Sequence, residues 1–351
     1  MERIWWNQVT NAVQFVSQIT DALLNEKSIV LNYSENMPWH DFFEETVRET
    51  VKQGNSEKKF EDVINVDKPG DYILKEFCKP EKRAQFRPSK GYAKFLAESN
   101  DIVLHDRYLW VKISSEAMLN EWAAFVSDYI KARDKNSNSA VFILDWNGTS
   151  QVSGKKGLKT FSFDEFIGDY DRVVFAMLAS SSVKERAFVQ TYTAELVSQV
   201  VENDIELCAA CLRNSKRFLA DPYKEIKRIT EFEKRSDGTA HSFSKNADEV
   251  EHAVWLAQIR TIYPIIEEYR EVFVSKYSKA ISAQLPITSS YGEEYKDPQD
   301  VEIGTLKFMA DNGNLTISTG EYEKLKRFKD ARNKLSHLNS LSMDEINELK
   351  L

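Results

Sequence analysis

Cysteine, histidine, proline and glycine are all scarce in this chain of 351 residues, which carries 3, 5, 8 and 12 of them respectively. Three cysteines cannot build a disulfide framework, and they fit the reduced thiols of a cytoplasmic protein. So few glycines and prolines leave little material for long flexible linkers. Apolar runs are short as well: the longest, such as that within Arg172–Ala179, falls far below the ~20 residues of a membrane-spanning helix. The start, Met1-Glu2-Arg3-Ile4-Trp5-Trp6, has neither the basic stretch nor the apolar core of a secretory leader. A cytoplasmic protein with no membrane contact is therefore expected.

Basic charge in excess is also missing. The net charge is −8 and the isoelectric point near 5.4, a field that repels a phosphate backbone overall. Any nucleic-acid contact must then come from a local basic patch. What the chain does have is 42% hydrophobic residues, with 20 Phe, 14 Tyr and 7 Trp, enough for well-packed cores or sizeable partner surfaces. Its length suits two or three domains.

Periodicity splits the chain into two characters. Residues 4–25 pattern as one amphipathic helix, Ser28–Leu31 as a short buried strand, and His40–Gln53 as a helix behind Pro38. Phe60–Val66 and the stretches Ile102–Leu104 and Tyr108–Ile113 have strand composition, and Ser114–Arg133 reads as a helix capped by Ser114 or Ser115. Ala140–Leu144 is a continuous apolar run ending at Asp145, as buried parallel strands are, and Val173–Leu178 is expected to be another. Ser180–Ser182 then reads as a helix cap. From Val183 onward the pattern is helical, apart from loops at Ser236–Asn246, Leu285–Pro298 and Ala310–Gly320. The expected architecture is an α/β domain over 1–182, mostly parallel sheet with flanking helices, followed by an all-α region over 183–351.

The first half holds two strand ends of chemical interest. Asp145 has the form of the aspartate that holds Mg²⁺ through water in a nucleotide site, and Leu31 leads into the loop where a phosphate-binding loop would lie. That loop, Asn32-Tyr-Ser-Glu-Asn-Met-Pro-Trp39, has no glycine and no lysine, whereas cradling phosphate needs glycines for close backbone approach and lysine for charge. Gly148–Lys156 contains Gly154-Lys155, but its spacing is one residue too long, Lys156 stands where Ser or Thr is needed, and it follows the wrong strand. It is expected to be a solvated loop. In element order, Ile4–Ser182 resembles a P-loop NTPase domain whose first loop has lost its phosphate chemistry, and the resemblance leaves Asp145 as a candidate cofactor-binding residue.

Smaller clusters read mostly as structure. Cys208-Ala-Ala-Cys211 lies in an apolar helical stretch with no nearby histidine to complete a zinc site, so core cysteines are expected. His40, His105, His241 and His252 are isolated in sequence and read as surface or satisfied core residues. The acids Asp164, Glu165, Asp169 and Asp171 cluster as expected by chance in an acidic chain, and neither a metal nor another cofactor is implied. Lys75–Lys94 interleaves seven cations with Phe77, Phe86 and Tyr92. Of these, Lys79, Arg83, Arg87 and Lys90 are candidate nucleic-acid contacts; the alternatives are a solvated surface or a docking site for an acidic partner.

Near the end, two helices are expected around a short loop, with Ser342-Met-Asp-Glu345 as a capping box before a last helical turn. The second helix carries Arg332, Asn333 and, four residues after Asn333, His337. This R-N-x-x-x-H pattern resembles the signature of HEPN domains, small helical domains of which many are ribonucleases. The resemblance implies a motif on a late helix, two copies facing each other across a dimer, and RNA cleavage without a metal. In chemical terms, His337 is the candidate general acid or base, Arg332 holds the scissile phosphate, and Asn333 orients either. Non-catalytic HEPN-like domains also exist, and helical Arg, Asn and His equally build bundle-fixing hydrogen bonds. Together the two resemblances suggest a regulatory or scaffold component of a bacterial conflict or phage-defence assembly, acting as a homo-oligomer or with other subunits; the alternative is a metal-independent ribonuclease with RNA as substrate.

Overall fold

The computed structural model describes every residue except 34–36, 101, 134–138, 151–156, 184, 202, 289–291 and 293. The Gly148–Lys156 loop and the Asn32–Trp39 loop thus lie partly outside the described residues. The chain divides into two compact units, one of Met1–Phe175 with Ser236–Gly238 and one of Ala176–Arg235 with Thr239–Leu351. The division falls inside the helix Asp169–Ser180.

The first unit is built on five parallel strands: β1 Ser28–Tyr33, β2 Lys59–Ile64, β3 Arg107–Ile113, β4 Val141–Asn147 and β5 Leu158–Ser162. They run in the order β2-β3-β4-β1-β5, with helices flanking the sheet. The central β1 and β4 are buried nearly end to end and mostly apolar, as strands covered on both faces are. Their register sets Leu31 beside Asp145, and β3 sets Lys112 beside the same aspartate. β2 stops at Ile64 because the next residue, Asn65, turns into the left-handed region at φ 56°.

Helix Glu116–Ala132 starts at Ser115, whose hydroxyl accepts from the Met118 amide, and buries Met118, Leu119, Trp122, Phe125, Val126 and Tyr129 at helical spacing. They pack on Phe142 and Leu144 of β4 and Leu109 and Val111 of β3. Trp122 also donates its Nε1–H to the carbonyl of Val66 at 2.7 Å. Trp122→Phe keeps the ring packing but strands that carbonyl, so the midpoint of chemical unfolding of the first unit should fall by about 1–3 kcal/mol of stability; an unchanged midpoint would show that water replaces the indole.

Four local expectations are corrected. Val173–Leu178 is part of the helix Asp169–Ser180, not a strand: a six-residue apolar run does not distinguish the two, and here Tyr170, Val174 and Met177 are exposed while Phe175, Ala176 and Ala179 are buried, which is helical spacing. Ser180–Ser182 accordingly closes that helix and caps no new one. Residues 4–25 form two helices, Glu2–Gln8 and Thr10–Leu24, parted at the extended Val9. The adjacent Trp5 and Trp6 are both buried, Trp6 donating to the Pro38 carbonyl and Trp5 meeting Phe175 edge-on. Ile102–Leu104 opens a 3₁₀ turn, Val103–Asp106, and the strand begins only at Arg107. One strand, β5, was not expected at all: only Phe161 of its five residues is buried, so it carries almost no apolar signal.

The second unit is helical, with one short hairpin, Ile287–Thr288 against Glu294–Tyr295, inside the expected loop Leu285–Pro298. Capping boxes open the helices Ala247–Thr261, through Asn246 and Glu249, and Met343–Leu349, through Ser342 and Glu345. The fully buried Gln258 fastens the C-terminal segment: its Oε1 accepts from the Leu341 amide at 2.7 Å, and its Nε2 donates to the Leu341 carbonyl at 2.9 Å and to Tyr192 Oη at 3.1 Å. Cys208 and Cys211 are buried on the helix Ile205–Arg213, and burial, with the neighbouring Cys208, pushes the Cys211 thiol well above its ordinary value.

Candidate functional site

Ligands of parallel α/β sheets bind at the carboxyl ends of the strands. In the first unit that edge gathers Tyr33 from the end of β1, Trp110 and Lys112 from β3, Asp145 from β4, and His40 and Glu44 from the helix His40–Gly54 that follows β1. The helix places His40 and Glu44 on one face because they are four residues apart. Trp39 makes the sharp entry, in the left-handed region at φ 46°.

Asp145 is the centre. Its side chain is fully buried, and its Oδ2 accepts from Trp110 Nε1 at 2.7 Å and Lys112 Nζ at 2.9 Å. His40 Nε2 lies 3.3 Å from Oδ1 and 3.2 Å from Oδ2. Burial alone would raise the pKa of this carboxyl; His40, Lys112 and the Trp110 donor outweigh it and hold the group well below the ordinary carboxylate range. Asp145 is thus an anion at any physiological pH. Lys112 also donates to Glu44, and although burial opposes its charge, Asp145 and Glu44 raise its pKa. Arg48 donates to Glu44 and to Asp62 and lies over the rings of Phe60 and Trp110. The Tyr33 ring lies tilted against His40 at 5.0 Å between ring centres, and burial with the Asp145 charge pushes its phenol far above its ordinary value.

Of these residues only Asp145 is singled out by its sequence context. It sits within β4, two residues before the strand's end, and its oxygens point into the cluster. His40 is not isolated, as its sequence context suggested, but paired to that aspartate. The one local signal that could have found the cluster is the His40-x-x-x-Glu44 spacing at the start of a helix behind a strand.

The other candidates lie elsewhere. Lys79, Arg83, Arg87 and Lys90 are all exposed in the short-helix segment after Phe77. Arg87 is folded back on the carbonyls of Ala84 and Phe86, and Lys90 is paired with Glu98 at 2.8 Å. The interleaved rings face inward: Phe77 is buried, and Phe86 stacks on Tyr92 at 4.5 Å, both packed against the core. These cations can meet phosphate, but Phe77, Phe86 and Tyr92 do not offer the stacking platforms on which single-strand binding relies.

In the second unit, Arg332 and Asn333 lie on the helix Thr319–Ser336, and His337 is its C-cap, one residue beyond the last helical position. Arg332 Nη2 is 3.4 Å from Glu302 Oε1, a solvent-screened pair that holds the guanidinium only weakly. His337 is exposed, and its amide donates to the Asn333 carbonyl at 3.2 Å. Trp255 Nε1 fixes the turn between them by donating to the Leu335 carbonyl at 2.8 Å. His241 serves the interior instead, its Nδ1 lying 2.9 Å from Asp204 Oδ2. Asp204 caps the helix Ile205–Arg213 and is also paired with Arg235.

No protein-family model matches this sequence, and a search of characterised proteins finds no relative. Among the described residues, no helix is long and apolar enough to cross a membrane.

Proposed function

We propose that this protein is a regulatory or scaffold component of a multi-subunit assembly of the bacterial conflict or phage-defence type, whose α/β unit has the frame of a nucleotide-binding domain without its phosphate chemistry. The observation that carries the reading is the commitment of Asp145. A carboxylate that holds Mg²⁺ for a nucleotide needs oxygens facing an approaching phosphate; Asp145 is buried and turned onto Trp110, Lys112 and His40. The loop after β1 lacks glycine and lysine, so nothing in its sequence supplies the backbone cradle or the neutralising charge. A chain of net charge −8 adds an unfavourable field for polyphosphates.

Calorimetric titration of the full chain with ATP and Mg²⁺ should show no saturable heat up to millimolar nucleotide and no phosphate release. A dissociation constant in the micromolar range would overturn the reading of this unit.

A second reading, metal-independent RNA cleavage through Arg332, Asn333 and His337, is favoured by the exposure of His337 at the helix end with Arg332 only loosely paired nearby. It predicts cleavage of labelled RNA that survives EDTA and is abolished in His337→Ala. Cleavage that persists in that variant excludes it.

A further inference from the structure

We propose that His40, Glu44 and Asp145 form a divalent transition-metal site in which the Lys112 ammonium is the competing internal cation. One nitrogen and two carboxylate oxygens from these residues lie within 4.8 Å of one another. Ligands sharing one ion at ~2.1 Å are at most about 4.2 Å apart, so closure takes less than an ångström of side-chain rotation. The donor set selects the metal class. Imidazole with two carboxylates suits Zn²⁺, Co²⁺, Fe²⁺ or Mn²⁺, whereas Mg²⁺ and Ca²⁺ take oxygen alone.

The surroundings are those of a built site. Asp145 is oriented by the Trp110 indole, as metal-bound carboxylates are by outer hydrogen bonds, and His40 lies beside its Oδ1. Among the described residues joined by these ion pairs, three carboxylates, Asp145, Glu44 and Asp62, face two cations, Lys112 and Arg48. Glu44 also lines an open groove of about 480 Å³ with Asp41, Glu45 and Glu49 against Arg48 and Lys52, an approach in which acids outnumber bases by four to two. Lys112 is about one-third exposed at the end of its strand, so it can swing to solvent as a metal arrives. The ammonium thus satisfies the two carboxylates in the metal-free protein and sets a threshold that the metal must exceed. This inference does not depend on the nucleotide reading, since it needs no phosphate.

The test uses the full chain, stripped with EDTA and titrated with Co²⁺, whose visible absorption bands report inner-shell coordination, followed by displacement with Zn²⁺. Wild type should bind one equivalent with visible bands that Zn²⁺ removes. His40→Gln and Glu44→Gln should each weaken binding at least tenfold while retaining the wild-type circular dichroism spectrum. Lys112→Gln should bind several-fold more tightly, because the competing charge is gone. Absent stoichiometric binding, equal binding by the two ligand variants, or unchanged affinity in Lys112→Gln would each overturn the proposal.

Discussion

Asp145→Ala should lower the stability of the first unit by about 3–5 kcal/mol, the range found when one partner of a buried charge network is removed. The cost has identifiable parts. Trp110 is fully buried and its indole N–H loses its acceptor, which alone strands a donor at about 1–3 kcal/mol. His40 loses its partner, and a small cavity opens between β1 and β3. Lys112 is spared the worst, because it still has Glu44 and a path to solvent. Asp145→Asn should therefore cost distinctly less, since the amide oxygen still accepts from Trp110. The pH dependence follows from the depressed carboxyl pKa. Its contribution is fully present above the unfolded aspartate value of about 3.9 and is lost as pH falls below it towards the lower folded value. Acid unfolding of wild type should thus steepen below about pH 4, and the Asn variant should show a flatter profile there. Urea midpoints across that range decide it; a loss under about 1 kcal/mol in the Ala variant would mean that water serves Trp110 equally well.

Gln258→Leu is the second large effect. The residue is fully buried and its amide makes three hydrogen bonds, two of them to the backbone of Leu341. Leucine fills the volume but leaves the amide and the carbonyl of Leu341 unpaired, at about 1–3 kcal/mol for each buried orphan. A total loss of about 2–6 kcal/mol is expected. The loss should be local as well as global: amides around the helix Met343–Leu349, held by Gln258 and by the Ser342–Glu345 capping box, should exchange faster with deuterium than those of Ala187–Val200. Uniform acceleration across the unit would show instead that this segment opens only with the whole.

How much of this was legible in the sequence depended on the range of the interactions. The run Ala140–Leu144 that forms most of β4 is apolar without interruption, and the Glu116–Ala132 helix has both its cap and its stripe in local sequence, so both could be placed from composition and spacing. The Ser342–Glu345 box spans four residues and was equally plain. Edge strand β5 was invisible, because an edge position asks for little apolar content and Leu158-Lys-Thr-Phe-Ser162 has little. The apolar run Val173–Leu178 inside the helix Asp169–Ser180 is too short for periodicity to choose between helix and strand.

The site divides in the same way. Asp145 stands out because it directly follows the apolar run Ala140–Leu144. Its partners do not, since His40, Trp110 and Lys112 lie 105, 35 and 33 residues away along the chain and meet it only through the strand order β3-β4-β1. The position of His337 shows a subtler limit. Spacing predicts a shared helical face with Asn333, yet the helix ends one residue earlier, which a sequence ending in Lys-Leu-Ser-His does not mark.

The central claim is that this chain works within an assembly. The most direct test is the native mass of the full-length protein purified gently from its own cells, by light scattering on a sizing column. The account predicts a stoichiometric particle well above the 40.5 kDa of one chain, either a homo-oligomer or a complex with defined other subunits. A lone monomer of 40.5 kDa, with no other subunit recovered, would contradict it.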